Sequence, residues 1–305
     1  MDNKDFYPET NLDNLVNTLS EHGVAVYPNV FSKEECDSVR EKIFKYLEIE
    51  HEIKEPNDFE KLRPINGGML HNYGISLLPE ILDLKTDPRI IEPFEKIWDE
   101  KDLTTSLDGM FIGPPPEKVT TRDYFFRDAT FHFDQASSKR EFCCVQSFFN
   151  LEDTQTGDGC LSVLAKSHLY FNEFMDHFNV NTHDIDWYTI KKHQFEWLKQ
   201  KGCEWRTIIA PKGSMVFWDS RTAHTGTLPR RDRPNENWRF LVYVCYTPAR
   251  LQTRHDAAIK RDAYIQNRCT AHWPYSVRMF GRRDDDLKFN NLKNLTDRHK
   301  KYIGI

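Results

Sequence analysis

The chain has 305 residues, 39% of them apolar and 13% aromatic, which is enough to bury one large core. Its 42 basic and 47 acidic residues give a formal charge of -5, without the basic excess of a general nucleic-acid binder. No stretch approaches the ~20 apolar residues of a membrane-spanning helix. The polar start MDNKDFYPET has no signal-peptide core, so a soluble, cytoplasmic protein is expected.

Seven cysteines, an odd number without a CxxC pair, suit small core residues in a reducing compartment and give a cysteine-ligated zinc site little support. In chain order, GVAVYPNV (23–30) is β-rich and stops at the Pro28–Asn29 turn. SKEE follows, with Ser32 as N-cap and Glu35 three residues on, and Val39, Ile43 and Leu47 continue at helical spacing. Asp87 before Pro88 opens another helix, whose Ile90, Ile91, Phe94, Ile97 and Trp98 form one apolar stripe. Both stripes are read as core packing.

From about residue 104 the period becomes that of strands. SLDGMFIG runs into the triple proline 114–116, and REFCCVQSFFNL (140–151) is a long β-rich run. GCLSVL, WRTIIAP, GSMVFWD and RFLVYVCYTP follow, with turn residues between them. A helix is expected over IDWYTIKKHQFEWLKQKG (185–202), ending at Gly202. Strands punctuated by turns and framed by helices predict a mainly β fold, a sandwich or barrel with a helical layer. One domain is expected over 1–305. It would comprise an N-terminal region (1–103), a β core (104–250) with a helical insertion at about 170–202, and a C-terminal extension (251–305).

TFHFDQ (130–135) carries the chemistry. On a strand, Phe131 and Phe133 face one side while His132 and Asp134 face the other. Such a pair is either a hydrogen-bonded couple in the core or two of three ligands to a metal. His224, just beyond the β run Met215–Trp218, supplies the third ligand. His168, His177, His183 and His193 lie in turns or in the helical insertion. Two histidines and one carboxylate form the facial set that holds non-haem Fe(II) and leaves positions open for a co-substrate and O2. Arg239 opens a strand fifteen residues after His224, on the face shared by Leu241, Tyr243 and Cys245. An arginine there needs an anionic partner, and the distal carboxylate of 2-oxoglutarate is one.

These pieces resemble the phytanoyl-CoA dioxygenase-like branch of the Fe(II)/2-oxoglutarate oxygenases. GVAVYPNVFSKEECDSVR is similar to its N-terminal strand and helix, FHFDQ to its HxD segment, and GDGCLSVLAKSHL to its G-x-L-x-V…S-H stretch. KGSMVFWDSRTAHTG resembles the strand leading to the distal histidine, and WRFLVYVCYTP the strand that opens with the oxoglutarate arginine. The resemblance implies a double-stranded β-helix (jelly-roll, cupin-like) core, with His168 structural. The inserted RRDRP lengthens the interval from His224 to the arginine, so Arg230, Arg231 and Arg233 compete with Arg239. Phe133 stands where several members carry a polar residue, so a second 2-oxoglutarate contact falls to Gln146 or Thr227. Asp219 and Arg221 are expected to hold the turn before His224.

The expected function is an Fe(II)- and 2-oxoglutarate-dependent dioxygenase that uses O2 and hydroxylates a small-molecule or lipid-like substrate, releasing succinate and CO2. The alternative is a jelly-roll metalloprotein that is not an oxygenase, such as an isomerase or a binding module. The C-terminal NRCTAHWPYSVRMFGRRDDD is expected to form a lid or an oligomer contact.

Overall fold

The computed structural model describes residues 4–62, 68–71, 74–120, 130–280 and 295–304. Thirteen strands build two facing sheets: β1 (Lys4–Phe6), β2 (Val24–Tyr27), β3 (Met69–Leu70), β4 (Leu103–Thr105), β5 (Met110–Gly113), β6 (His132–Phe133), β7 (Val145–Asn150), β8 (Cys160–Ala165), β9 (Tyr188–Thr189), β10 (Glu204–Ile208), β11 (Met215–Asp219), β12 (His224–Thr227) and β13 (Arg239–Pro248). One sheet has the order β1-β10-β8-β12-β6-β9; the other is β2-β11-β7-β13-β5-β3, with β4 also on β13. From β5 to β8, and again from β10 to β13, the chain alternates between the sheets. All pairings within them are antiparallel except β1 with β10. This is a double-stranded β-helix.

Alternation sorts β13 as the sequence predicts. Leu241 joins Phe111, Phe148, Leu161, Val163, Val216 and Trp218 between the sheets, with Tyr243 packed against them. Phe240, Val242, Val244 and Tyr246 face outward onto helices. Those helices are α1 (Leu15–His22), α2 (Lys33–His51), α3 (Pro79–Lys85) and α4 (Pro88–Trp98). α2 starts at Ser32 with a reciprocal capping box: Glu35 N–H donates to Ser32 Oγ and Ser32 N–H to Glu35. α4 starts at Asp87, whose side chain accepts from Arg89 N–H, and buries Ile90, Ile91 and Phe94. Fully burying a side chain such as Phe94 contributes about 1.5–3 kcal/mol, so this layer holds the larger sheet in place.

The helical insertion covers the other sheet. α5 (Phe171–His177) and α6 (Lys192–Gln200) pack Phe171, Phe174 and Leu198 against Phe131 and Phe133. The helix expected from residue 185 begins only at 192. Residues 188–189 instead pair with 132–133, satisfying the open backbone edge of β6, and Gln194 caps Lys191 N–H. The run 140–151 is likewise a strand only from Val145, because Gln135 Nε2 donates to the carbonyls of Lys139 and Glu141 and curls the preceding segment. Beyond β13, α7 (Arg254–Ile265) leads to the hairpin β14 (Cys269–Thr270) and β15 (Met279–Phe280). Positions 281–286 of the C-terminal run discussed above lie outside the described residues.

Candidate metal centre

His132 and His224 lie directly opposite each other in the β6–β12 pair. Their ring centroids are 4.4 Å apart. Asp134 follows on the same face of its strand: Oδ1 is 3.7 Å from His132 Nε2 and Oδ2 is 3.3 Å from His224 Nε2. One ligand atom from each of the three lies within 4.8 Å of the others, a spacing that suits a single ion. Phe131 and Phe133 point away into the helical layer, as the alternation requires.

The surroundings prepare these groups for a metal. His132 Nδ1 is 3.2 Å from Thr130 O and His224 Nδ1 is 2.9 Å from Thr222 O. A carbonyl only accepts, so Nδ1 carries a proton in both rings and each Nε2 faces the shared point. Burial and the nearby His224 push the His132 imidazole down to about 4, which keeps the ring neutral and ligating at neutral pH. Burial opposes ionisation of Asp134, but the two adjacent rings outweigh it and hold the carboxyl well below the usual carboxylate range. Two imidazoles and one carboxylate, all on one side, match the donor set of a non-haem iron site.

Arg239 enters the same interior from the start of β13. Its guanidinium stacks on Phe111, 4.4 Å from the ring centroid, and its Nε is buried without a hydrogen-bond partner among the described residues. A Cβ built on Gly226 would lie 3.3 Å from Arg239 Nη1, so the bare backbone beside His224 makes room for the guanidinium. Among the competing arginines, Arg233 is bound by Glu117 (2.5 Å) and by Asp158 (3.2 Å), and Arg230 lies 3.4 Å from Asp232.

The two candidates for a second co-substrate contact, Gln146 and Thr227, stand on opposite sides of the strand wall. Gln146 lies beside the candidate metal ligands, its Nε2 donating to Asp134 Oδ2 at 3.0 Å. Thr227 is turned away from the interior, its hydroxyl 3.0 Å from Cys160 Sγ and 3.3 Å from Ser162 Oγ, because Gly226 occupies the inward position. His168 Nε2 bonds Ser20 O at 3.0 Å, and Arg221 bonds Asp219 at 2.7 Å, so both serve local structure. Sequence reasoning did not single out Trp187, which is 49% exposed and stacks on His132 with centroids 4.0 Å apart. No spacing signal marks it, since it reaches the site from the helical insertion.

The match to known proteins now has a geometry to rest on. The family model of phytanoyl-CoA dioxygenase (PhyH) covers residues 19–228. The chain belongs to the phytanoyl-CoA dioxygenase family. The match includes the three candidate ligands and stops before Arg239. The chain is also similar to Ava biosynthesis cluster protein O of Aspergillus versicolor, 23% identical over 283 residues and covering 89% of each chain. Its fold resembles that of the epimerase SnoN, solved with Fe3+, alpha ketoglutarate and nogalamycin RO, at 16% identity and a TM-score of 0.52, covering 78% of this chain and 84% of that one. It also resembles the hypothetical protein JW0805 of Escherichia coli, at 13% identity and a TM-score of 0.66, covering 98% and 86%. Among the described residues no helix is long and apolar enough to cross a membrane.

Proposed function

We propose that this member of the family is an Fe(II)- and 2-oxoglutarate-dependent oxygenase that hydroxylates a small-molecule or lipid-like substrate. The observation that carries this reading is the pairing of two elements in one interior. His132, Asp134 and His224 share a focus, and Arg239 beside it is a half-buried cation whose buried Nε has no hydrogen-bond partner among the described residues. Iron held by the triad, with 2-oxoglutarate and O2, supplies oxidation coupled to decarboxylation of the keto acid to succinate and CO2.

The protein's own part is positioning and exclusion. Thr130 O and Thr222 O hold the two imidazoles in the tautomer that ligates through Nε2. Gln146 occupies one lone pair of Asp134 Oδ2 and stops the carboxylate from rotating. Arg239 offers a planar fork to the distal carboxylate of 2-oxoglutarate, with Phe111 holding its plane. Trp187 covers the outer face of His132 and limits water at the rim. SnoN, an epimerase, has the same fold, so the fold alone does not select hydroxylation.

The test is succinate release from 2-oxoglutarate by the full chain with Fe(II) and O2, first without and then with a metabolite mixture, read together with a gain of one oxygen by mass spectrometry. Succinate formation that disappears in His132→Ala is the expected result. Tight metal binding with no succinate under any condition would favour a non-oxygenase metalloprotein.

A further inference from the structure

Two of the three candidate ligands belong to a very short strand and the residue after it. β6 has two residues and faces β12 at one position, His132 opposite His224. So brief a ladder gives its side chains little orientation, which leaves the other edge of β6 to supply it.

That edge is covered by residues 182–189 of the helical insertion. Thr189 and Tyr188 pair with His132 and Phe133. Trp187 lays its indole on the His132 ring, 22° from parallel, with centroids 4.0 Å apart. Its Nε1 donates to Thr189 Oγ1 at 3.1 Å, which fixes the plane of the indole. Asp186 reaches past Asp134 to the chain beyond it, where Oδ1 accepts from Ala136 N–H at 2.8 Å. Ser137 N–H then donates to Thr182 Oγ1, and Thr182 N–H to Ser137 Oγ. The two segments are thus laced together from His132 to Ser137. Trp187 is exposed, so it adds little to the apolar core, and the ring it covers is a candidate metal ligand.

Asp186 is itself seated from the C-terminal extension. Lys139 Nζ donates to both of its oxygens, at 2.9 and 2.7 Å, and the carboxylate side chain is only 9% exposed. The same ammonium lies 3.8 Å from the ring centroid of Trp273, a cation over an aromatic face. Trp273 in turn is buried with Cys144 and Cys245, on the strands that flank Gln146. Arg278 adds a second tie, donating to Asp184 O.

We propose that Asp186 and Trp187 are positioning residues of the metal centre, with Lys139 and Trp273 seating Asp186, so that metal retention depends on the helical insertion and the C-terminal extension. A ligand already held in one orientation loses less freedom when the ion arrives. A coordinated imidazole is also poorer in electrons than a free one and is drawn more strongly to the indole face. By linkage, a stack that strengthens on metal binding strengthens metal binding by the same factor. The proposal rests on the triad holding a metal, as the oxygenase reading requires.

The experiment measures Co(II) affinity of the full chain, read from the visible absorbance of the bound ion in competition with a chelator. Trp187→Ala and Asp186→Ala are each expected to hold Co(II) about tenfold more weakly than the unmodified protein, the scale of a lost ligand-orienting partner. Trp187→Phe, which keeps an aromatic face, should restore most of that loss. Melting of the metal-free proteins separates this from folding: Trp187→Ala should melt with the unmodified protein. Arg233→Met, which breaks ion pairs in the loop after His224, should melt lower yet keep its Co(II) affinity. Unchanged affinity in Trp187→Ala, a metal-free Trp187→Ala that melts well below the unmodified protein, or an equal loss of affinity in Arg233→Met would each overturn the proposal and leave the oxygenase reading standing. Failure of the unmodified protein to take up Co(II), measured first, would overturn that reading and this inference with it.

Discussion

Gln146 on β7 donates a 3.0 Å hydrogen bond to Asp134, which follows β6 on the opposite sheet, so the candidate metal carboxylate is tied across the sandwich. Both residues are buried. Partners that orient a metal ligand are worth about 10–100-fold in metal affinity. Gln146→Leu is therefore expected to weaken Fe(II) binding by that order while leaving the fold intact, measured by competitive metal titration. Gln146→Glu should be worse, because it sets a second carboxylate against the first. Unchanged affinity in both variants would remove Gln146 from the site.

Arg239 and Arg233 should separate cleanly. Removing one partner of a buried charge pair costs on the order of 3–5 kcal/mol. Arg239→Met is therefore expected to raise the KM for 2-oxoglutarate by at least about a hundredfold with iron retention nearly unchanged. Arg233→Met instead strands Glu117 and Asp158, and should lower the melting temperature with little effect on that KM. The opposite pattern would move the anion site into the inserted loop.

Asp134 also bears on the type of oxidation. Its carboxylate shares the candidate ligand face with His132 and His224, where it would fill the position that a halide needs. With its eventual substrate and excess chloride or bromide, the unmodified enzyme is expected to give only oxygenated or desaturated products by mass spectrometry. A halogenated product would refute this. Asp134→Ala should lose iron and succinate formation together.

A pH dependence follows from the buried Lys260, which donates to Thr104 Oγ1, Thr105 O and Gln252 Oε1 at 2.8–2.9 Å. Burial pulls its pKa down to about 7, with Asp256 partly opposing, whereas an unfolded lysine titrates near ~10.4. Between these values the unfolded chain holds a proton that the folded chain has lost, so stability rises with pH. Below about 7 the ammonium is charged in both states and its burial penalty is fully present. Relative to Lys260→Met, the wild-type unfolding free energy should rise by roughly 1 kcal/mol per pH unit above 7. Urea unfolding of both proteins at several pH values between 6.5 and 8.5 checks this, other groups that titrate in the range cancelling in the comparison. A difference that stays flat would show that Lys260 remains charged in the fold.

Much of this protein is readable along the chain because the governing rules are local. Ser32 with Glu35, and Asp87 with Pro88, start helices through neighbours within three residues. Strand alternation alone puts His132 with Asp134, and Leu241 with Tyr243, on common faces. Long-range pairing decided the rest. The β6–β12 register sets His224 across from His132, and the open edge of β6 draws residues 188–189 out of a helix. Gln146 was legible as an inward polar residue, but its partner lies on the other sheet. Thr227 and Arg233 were legible as polar residues near the distal histidine, yet bonding to Cys160 and Ser162 takes up the first, and Glu117 and Asp158 hold the second. A buried polar group takes whichever partner packing brings within about 3 Å. For these residues that partner is distant in sequence, so only the folded sandwich could select it.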